Sequence, residues 1–249
     1  MNIKQYLERI GYEGPVDITF EVLSQLQYMH LMHVPFENLD IHYNIKIDLL
    51  HLYDKIVTRK RGGFCYELNG LFYELLKEIG FTVKMVSARV YDGKKEFSPE
   101  FDHLALIVKI NEYNYLVDAG FGEFSLQPIL IAPGKETNDP RGIFKIETFD
   151  GNYMLVTKKD TEENFVPEYI FSEKERLLNE FQEMCNYHQS DPASHFMQKR
   201  ICSLPTSNGR ITLTGDILKI TEQGVITERK LNTEQEVKKE LWNHFGIQL

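Results

Sequence analysis

The sequence predicts an α+β protein in which helices come first, an antiparallel sheet or barrel follows, and a smaller mixed unit ends the chain. Up to about residue 80, apolar residues recur at helical spacing. From 81 to about 170, short β-branched and aromatic runs dominate, and beyond about 191 short strands precede one final helix. Helical and strand patterns that are separated along the chain in this way are typical of the α+β class.

The helical part begins with "IKQYLERIGY" and "ITFEVLSQLQYMHLMHVPF", and Pro35 stops the second of these patterns. A further helical pattern, "LLHLYDKIVTRKRGG", ends at paired glycines. After Cys65 six apolar residues share one face of a helix that Gly80 can end. These residues are Leu68, Leu71, Phe72, Leu75, Leu76 and Ile79. We therefore expect Cys65 to open a helix.

The middle part contains six strand patterns, which are "FTVKMVSARVY", "HLALIVKI", "YNYLVDAGF", "GIFKIETF", "NYMLVTKK" and "FVPEYIF". Asp92-Gly93 and Asp150-Gly151 are turn signals between some of them. The predicted structure is an antiparallel sheet or barrel.

The last part follows the helical pattern "SEKERLLNEFQEMCNYHQSD" and a plausible boundary at "DPASH". Short strands joined at Asn208-Gly209 and Gly215-Asp216 then lead to a helix from about Asn232. We place three units at 1–84 (helical bundle with Cys65), 85–190 (β-barrel) and 191–249 (smaller mixed unit).

Charge and composition limit the function classes. The 249 residues include 28 basic and 37 acidic side chains, so the net charge of -9 disfavours a nucleic acid or an anionic membrane as partner. No apolar run approaches the roughly 18 residues of a membrane span, and no leader pattern is present, so we expect a cytoplasmic protein. Three widely spaced cysteines favour free thiols, and no ligand spacing indicates a metal.

Cys65 is either a buried core residue or a reactive thiol. Free cysteine is often buried, and this interpretation suits Cys185 and Cys202, which we assign to packing. A thiol in the first turn of a helix instead faces free backbone N–H groups, which favour the thiolate. Gly62 and Gly63 permit close approach of the chain before it. Position therefore favours reactivity, provided that a base is near.

His103 and Asp118 are the candidate base and its partner. His103 leads the apolar run "HLALIVKI", and Asp118 lies inside "YLVDAGFG", where a buried carboxylate needs a partner. The three residues would then act as nucleophile, base and orienting group. If "NEYN" forms a tight hairpin, however, Asp118 falls opposite Ile107, so a bulge, a strand twist or a loop-borne histidine must close the gap.

Four separated blocks resemble the arylamine N-acetyltransferases: "VPFENLDIH", "RGGFCYELNGLF", "HLALIV", and "VDAGFG" with "QP". The later "KRICSLPTSNGRITL" extends the resemblance over nearly the whole chain. It implies a helical bundle, a β-barrel and an α/β lid, with Cys65, His103 and Asp118 forming a triad as in transglutaminase-like cysteine enzymes. It also implies acetyl transfer from acetyl-CoA to arylamines or hydrazines, with no metal or prosthetic group.

The resemblance implies further roles. Phe36 and Phe121 would line the acceptor pocket. The residues that would shape the loop near coenzyme A are Gly120, Gly122, Gln127 and Pro128. Arg61 would pair with Glu37 and bond near Asn38 as a scaffold. The chain departs from the family pattern at Asp102, where serine or threonine is common.

The expected mechanism is a ping-pong transfer through an acetyl-cysteine intermediate. Two alternatives stay open. A thiol hydrolase or an amide synthase would keep the triad and change the chemistry. A ligand-binding protein would keep the pocket without turnover. The physiological amine and the oligomeric state are not specified by the sequence.

Overall fold

The computed structural model describes residues 1–249, and its elements follow the predicted order of helices, strands and a mixed unit. The α-helices are α1 (Ile3–Ile10), α2 (Phe20–His33), α3 (Leu39–His42), α4 (Cys65–Ile79), α5 (Gln182–Ser190), α6 (His195–Gln198) and α7 (Glu234–Phe245). None of them combines the length and the apolar character that a membrane span requires.

The strands form two antiparallel sheets. The first part of the chain order is β1 (Phe36–Glu37), β2 (Thr82–Val90), β3 (His103–Ile110), β4 (Tyr113–Val117), β5 (Ile129–Leu130), β6 (Glu136–Asp139) and β7 (Gly142–Asp150). The remainder is β8 (Tyr153–Lys159), β9 (Phe165–Arg176), β10 (Ile201–Thr206), β11 (Gly209–Thr214), β12 (Ile217–Glu222) and β13 (Val225–Lys230).

Helix α4 begins at Cys65 and ends at Ile79, with Gly80 as its C-cap, which confirms the predicted bounds. Gly80 adopts the left-handed conformation with φ 111°, where a side chain is disfavoured, and its N–H bonds the carbonyls of Leu76 and Lys77. Ten residues of the helix are buried, because it lies between the other helices and strands β2 and β3. The helix start is therefore fixed in the interior.

The helix predicted within "LLHLYDKIVTRKRGG" is present but shorter than the pattern suggests. Leu52 and Tyr53 are α-helical and continue directly into a π-helical turn, Asp54–Thr58. Groups outside the turn take two of its carbonyls: Arg9 Nε donates to Ile56 O at 2.9 Å, and the Arg61 N–H bonds Lys55 O at 3.1 Å. These contacts satisfy carbonyls that a longer helix would have bonded.

The larger sheet is a nearly closed barrel of eight antiparallel strands, in the order β5-β4-β3-β2-β9-β8-β7-β6. The two faces of β3 serve different cores. Leu104, Leu106 and Val108 join the core of the helical bundle, whereas Ala105 and Ile107 point into the barrel. A strand buried on both faces reads as a continuous apolar run, which explains "HLALIV".

The register of β3 and β4 differs from the predicted one. The turn contains only Asn111 and Glu112, so Leu106 pairs with Val117, and Asp118 continues the ladder opposite Ala105 instead of Ile107. Because side chains alternate along a strand, Ala105 and His103 share a face, and Asp118 lies diagonally across from His103. No bulge is needed to bring the two side chains together.

The smaller sheet has the order β1-β10-β11-β12-β13 and forms a third core with α7. Its first strand comes from the N-terminal part: Phe36 pairs with Ser203 and Glu37 with Cys202. Strand β2 starts before residue 85, and Cys185 of α5 packs in the core of the helical bundle. The boundary proposed at 84 therefore falls inside β2, and the division into three units remains a prediction.

Candidate active site

The helical bundle, the barrel and the smaller sheet meet at a cleft of about 380 Å³ that contains the candidate nucleophile and base. Cys65 and His103 both line it, together with Phe36 and Phe121. These four side chains, which lie up to 85 positions apart in the sequence, therefore line the same cleft.

Cys65 is the first residue of α4 and is 5% exposed. Burial raises the pKa of its thiol well above the ordinary value, and the negative charges of Asp102 and Asp118 act in the same direction. The backbone N–H of Tyr66 at the helix start lowers the pKa, but it does not outweigh burial. The helix start alone is therefore insufficient to make the thiolate, and Cys65 needs a base.

His103 and Asp118 are directly hydrogen-bonded. His103 Nε2 lies 2.7 Å from Oδ2 of Asp118, and both side chains are buried. An ionised carboxylate only accepts hydrogen bonds, so Nε2 carries the proton and Nδ1 is the nitrogen that remains for a substrate or thiol proton. No hydrogen bond joins Nδ1 to Sγ of Cys65 in this structure, although contacts of this kind often tighten only when substrate binds.

Asp118 is fully satisfied by four donors. Oδ2 also accepts from the hydroxyl of Tyr169 at 3.1 Å, while Oδ1 accepts from Asn69 Nδ2 and from the Gly120 N–H, both at 2.9 Å. Hydrogen bonds of this number fix the orientation of a carboxylate. The arrangement holds a negative charge behind the imidazole.

Asn69 and Tyr169 are site residues that the sequence analysis missed. Asn69 follows Cys65 by four positions, so both lie on the same face of α4. Its Nδ2 also donates to Leu104 O at 2.6 Å, and its Oδ1 accepts from the Ala119 N–H at 2.7 Å. A polar amide on an otherwise apolar helix face was the available signal for Asn69. Tyr169 lies in a strand pattern that gave no such signal.

Gly120 packs the Asp118 loop directly against the nucleophile. A Cβ at this position would lie 2.9 Å from the Cα of Cys65 and 2.9 Å from Asn69 Nδ2. Contacts of this length are too short for carbon atoms, and the atoms involved belong to the helix start and to a fixed amide. Only glycine allows the loop and the helix to approach so closely.

Replacing Gly120 by alanine should lower the activity of the site by about 100-fold, because the loop must move away from Cys65 and carries Asp118 with it. The measurement is kcat/KM for acyl transfer on folded protein. Gly151→Ala is the matched control, since a Cβ there meets nothing within 4 Å. Wild-type activity in Gly120→Ala would contradict this account of the loop.

The other residues assigned to coenzyme A are dispersed. Gly122 lines the cleft and adopts φ 81°. Gln127 lines a separate surface depression beside α1 and α2, and Pro128 lines neither space. The Gln127 N–H bonds Asp139 Oδ2 at 2.9 Å, which fixes the course of the loop. The structure thus brings Gly120 and Gly122 to the cleft, but not Gln127 or Pro128.

Aromatic rings form two walls of the cleft. Phe36 lies 6.1 Å from Phe64 and 6.2 Å from Phe196, measured between ring centroids. On the opposite side, Phe121 packs edge to face on His103 at 5.1 Å. Phe196, from the short helix α6, was not identified from the sequence. Edge-to-face and tilted packing of this kind suits an aromatic ligand.

A buried cluster of five charged side chains lies behind the nucleophile loop. Arg61 Nη2 lies 2.7 Å from both Glu37 and Asp40, and Lys55 Nζ lies 2.7 Å from Asp40 and 2.9 Å from Glu67. Glu67 also accepts the Phe64 N–H at 2.9 Å and so caps α4. The cluster therefore ties the "PFEN" segment to the start of the nucleophile helix.

Charge and burial compete within this charged cluster. Burial lowers the pKa of Lys55, but the attraction of Glu67, Glu37 and Asp40 outweighs it and raises that pKa. At Glu67 burial outweighs Lys55 and raises the pKa of the carboxyl. Three carboxylates face two cations, so one negative charge is in excess.

Asn38 connects the N-terminal part of the chain to the smaller sheet and to α6 through its side-chain hydrogen bonds. Its Oδ1 accepts from the Ile201 N–H at 2.6 Å, and its Nδ2 donates to the carbonyls of Phe196 and Lys199, both at 3.0 Å. The "PFEN" segment thus connects on one side to Arg61 and on the other to β10 and α6.

Asp102, the departure from the family pattern, also lines the cleft. Its Oδ1 lies 3.0 Å from Nε2 of His188, a buried residue on α5. Contacts with His188 and Ser98 outweigh burial and lower the pKa of Asp102. A second carboxylate therefore stands beside Cys65.

No group of three or more His, Cys, Asp or Glu side chains in 1–249 has the arrangement of a metal site.

Comparisons with known proteins identify the family of the chain. A family model described as N-acetyltransferase matches residues 19–249. The liver isozyme of arylamine N-acetyltransferase from Gallus gallus is 33% identical over 278 residues, covering 100% of this chain and 96% of the relative. Arylamine N-acetyltransferase 1 from Homo sapiens is 33% identical over 277 residues, covering 100% of this chain and 95% of the relative.

A solved structure gives the same assignment. The arylamine N-acetyltransferase of Mycobacterium marinum, solved in complex with CoA, superposes with a TM-score of 0.88 at 28% identity, covering 99% of this chain and 93% of the other. Relatives above 30% identity that span the whole chain establish its family. The chain belongs to the arylamine N-acetyltransferase family.

Proposed function

We propose that this protein moves an acetyl group from acetyl-CoA to the nitrogen of an arylamine or arylhydrazine through an acetyl group held on Cys65. The observation that carries the proposal is the shared cleft, in which a thiol faces an imidazole whose other nitrogen is hydrogen-bonded to a buried carboxylate. The bound CoA of the M. marinum relative supports the choice of donor.

In the first half-reaction His103 Nδ1 takes the proton of the Cys65 thiol, and Sγ attacks the thioester carbonyl carbon of acetyl-CoA. The bond between the acetyl carbon and the sulfur of coenzyme A then breaks. The departing thiolate receives the proton from the His103 imidazolium, and the acetyl group stays on Cys65. Asp118 stabilises the imidazolium while it exists.

In the second half-reaction the amine nitrogen attacks the acetyl carbon on Cys65. His103 takes a proton from the nitrogen, the bond to Sγ breaks, and Cys65 regains a proton from His103. One amide bond has then formed at the expense of one thioester. Backbone N–H groups at the start of α4, including that of Cys65, are free of intrahelical partners and can hold the oxyanion of each intermediate.

We also propose roles for the residues that the sequence assigned to acceptor binding, structural support and coenzyme A binding. Phe36 and Phe121 line the acceptor space. Arg61, Glu37 and Asn38 act as supports for the loop that carries Cys65. The glycines at 120 and 122 leave room for the pantetheine chain, and Gln127 and Pro128 shape the loop from outside the cleft.

Initial-rate kinetics test this function. We expect double-reciprocal plots at several fixed amine concentrations to be parallel, because the donor leaves as coenzyme A before the acceptor binds. A panel of anilines and hydrazines with acetyl, propionyl and malonyl donors then identifies the preferred pair. Hydrolysis of acetyl-CoA at a rate that no amine changes would instead identify a thiol hydrolase.

A further inference from the structure

Arg210 brings a cation without a carboxylate partner into the catalytic cleft. It lies on β11, and its side chain lines the same space as Cys65 and His103. Its Nη1 donates to Ser203 Oγ at 2.9 Å and its Nη2 to Gly122 O at 2.8 Å, while its Nε is buried without an acceptor. A guanidinium has five N–H groups, so the protein supplies acceptors for only two of them.

Other buried cations of the chain are treated differently. Lys55 and Arg61 contact carboxylates at 2.7 Å. Arg9 has no carboxylate, but its guanidinium donates to four backbone carbonyls. Arg210 contacts no carboxylate and donates to a single backbone carbonyl, although even a partly buried charge is costly unless it is paired. This difference indicates that a partner comes from outside the chain.

Arg210 keeps its charge in these surroundings, although Asp102 and Glu123 line the same cleft. Burial lowers the pKa of Arg210 to about 10, and nearby Arg141 contributes to this, whereas Glu123 at the cleft raises it. The side chain is therefore protonated at neutral pH. Arg141 also donates only to carbonyls, those of Thr206 and Gly209, and its Nε is buried without an acceptor. In a protein with a net charge of -9, two arginines without carboxylate partners mark a local site for an anion.

We propose that Arg210 recognises an oxyanion on a substrate that occupies the cleft. The planar fork of its guanidinium suits a carboxylate or a phosphate, with Ser203 and Gly122 fixing its plane. The identity of the substrates rests on the proposed function. The anion comes from one of two sources, a carboxylate on the ring of the acceptor amine or a phosphate of the acyl donor.

Steady-state kinetics with Arg210→Gln distinguish these sources. If the anion is on the acceptor, kcat/KM for 4-aminobenzoate should fall by about 10- to 100-fold while that for aniline stays unchanged. If it is on the donor, kcat/KM for acetyl-CoA should fall similarly while that for acetyl-pantetheine, which lacks the nucleotide and its phosphates, stays unchanged. Arg210→Lys should recover part of either loss, because it retains the charge and loses the fork.

Lys219→Gln is the matched control, since Lys219 is an exposed cation on the neighbouring strand β12 and its replacement changes the net charge equally. It should leave two ratios of kcat/KM at their wild-type values: that of 4-aminobenzoate to aniline, and that of acetyl-CoA to acetyl-pantetheine. Equal losses for charged and uncharged substrates in Arg210→Gln would mean that Arg210 merely fastens Gly122 to β11, and would overturn the proposal, as would no change for any of them.

A binding measurement on the wild-type protein needs no acetyl transfer and no folded variant. Ligands in the cleft should slow the alkylation of Cys65 by iodoacetamide, followed by peptide mass spectrometry. If the anion is on the acceptor, benzoate should protect Cys65 at about tenfold lower concentration than benzamide. If it is on the donor, coenzyme A should protect Cys65 at about tenfold lower concentration than pantetheine. Equal protection within both pairs would refute the oxyanion site even if acetyl transfer is confirmed. A clear preference would support it even if the acetyl-enzyme is never found.

Discussion

Replacing Cys65 by serine should lower kcat/KM for acetyl transfer by about 1,000-fold or more. Serine preserves the size of the side chain, but its hydroxyl is a far weaker acid than a thiol and a poorer leaving group in the second half-reaction. His103 and Asp118 would remain in place. The release of coenzyme A, followed with a thiol reagent, measures the effect, and circular dichroism shows whether the variant is folded.

Cys185→Ser is the control for this substitution. Cys185 is fully buried on α5, burial raises the pKa of its thiol to about 12, and it does not line the cleft. Its Sγ accepts from Gln189 Nε2 at 3.4 Å, so a serine hydroxyl keeps a partner. Folded Cys185→Ser should retain activity within about threefold of the wild type. A Cys65→Ser protein as active as this control would eliminate Cys65 as the nucleophile.

Replacing Lys55 by methionine should reduce the free energy of unfolding by about 3–5 kcal/mol. Lys55 is 5% exposed, and its ammonium contacts Asp40 and Glu67. Its removal leaves three buried carboxylates with Arg61 as their only cation. Methionine fills a similar volume, so the loss reports on charge and not on a cavity. Urea unfolding followed by tyrosine and tryptophan fluorescence gives the free energy.

A second substitution shows whether the loss arises from uncompensated charge. Glu67→Gln removes one carboxylate and keeps an oxygen that can accept the Phe64 N–H, so the double variant with Lys55→Met should recover part of the lost stability. Lys4→Met is the exposed control and should change stability by less than about 0.5 kcal/mol. A loss below about 1 kcal/mol in Lys55→Met would contradict a structural role for the charged cluster.

Local patterns predicted the order and type of most helices and strands. The apolar spacing after Cys65 and the glycine at 80 gave both ends of α4, because a helix face and its left-handed end are encoded within a few residues. The fold class was confirmed for the same reason. His103 and Asp118 were recognisable because polar side chains inside apolar strands require partners.

Contacts between distant segments escaped prediction. The register of β3 against β4 was wrong by two residues, since a two-residue and a four-residue turn are equally compatible with "NEYN". Tyr169 reaches Asp118 from a strand 51 positions away, and nothing in its own segment indicates this. Lys55 lies in a segment with a helical pattern, and nothing in that pattern indicates that its side chain supplies the central cation of the charged cluster. The direction of the Cys65 pKa also depends on burial, which the helix position does not reveal.

The central claim is that Cys65 carries the acetyl group between donor and acceptor, and intact-mass spectrometry tests it most directly. Mixing the protein with acetyl-CoA in the absence of amine should increase its mass by about 42 Da, the mass of one acetyl group, and peptide mapping should place it on Cys65. Addition of an arylamine should remove the adduct and yield one equivalent of the amide. Formation of the amide without any adduct on Cys65, or an adduct that the amine does not discharge, would contradict the mechanism.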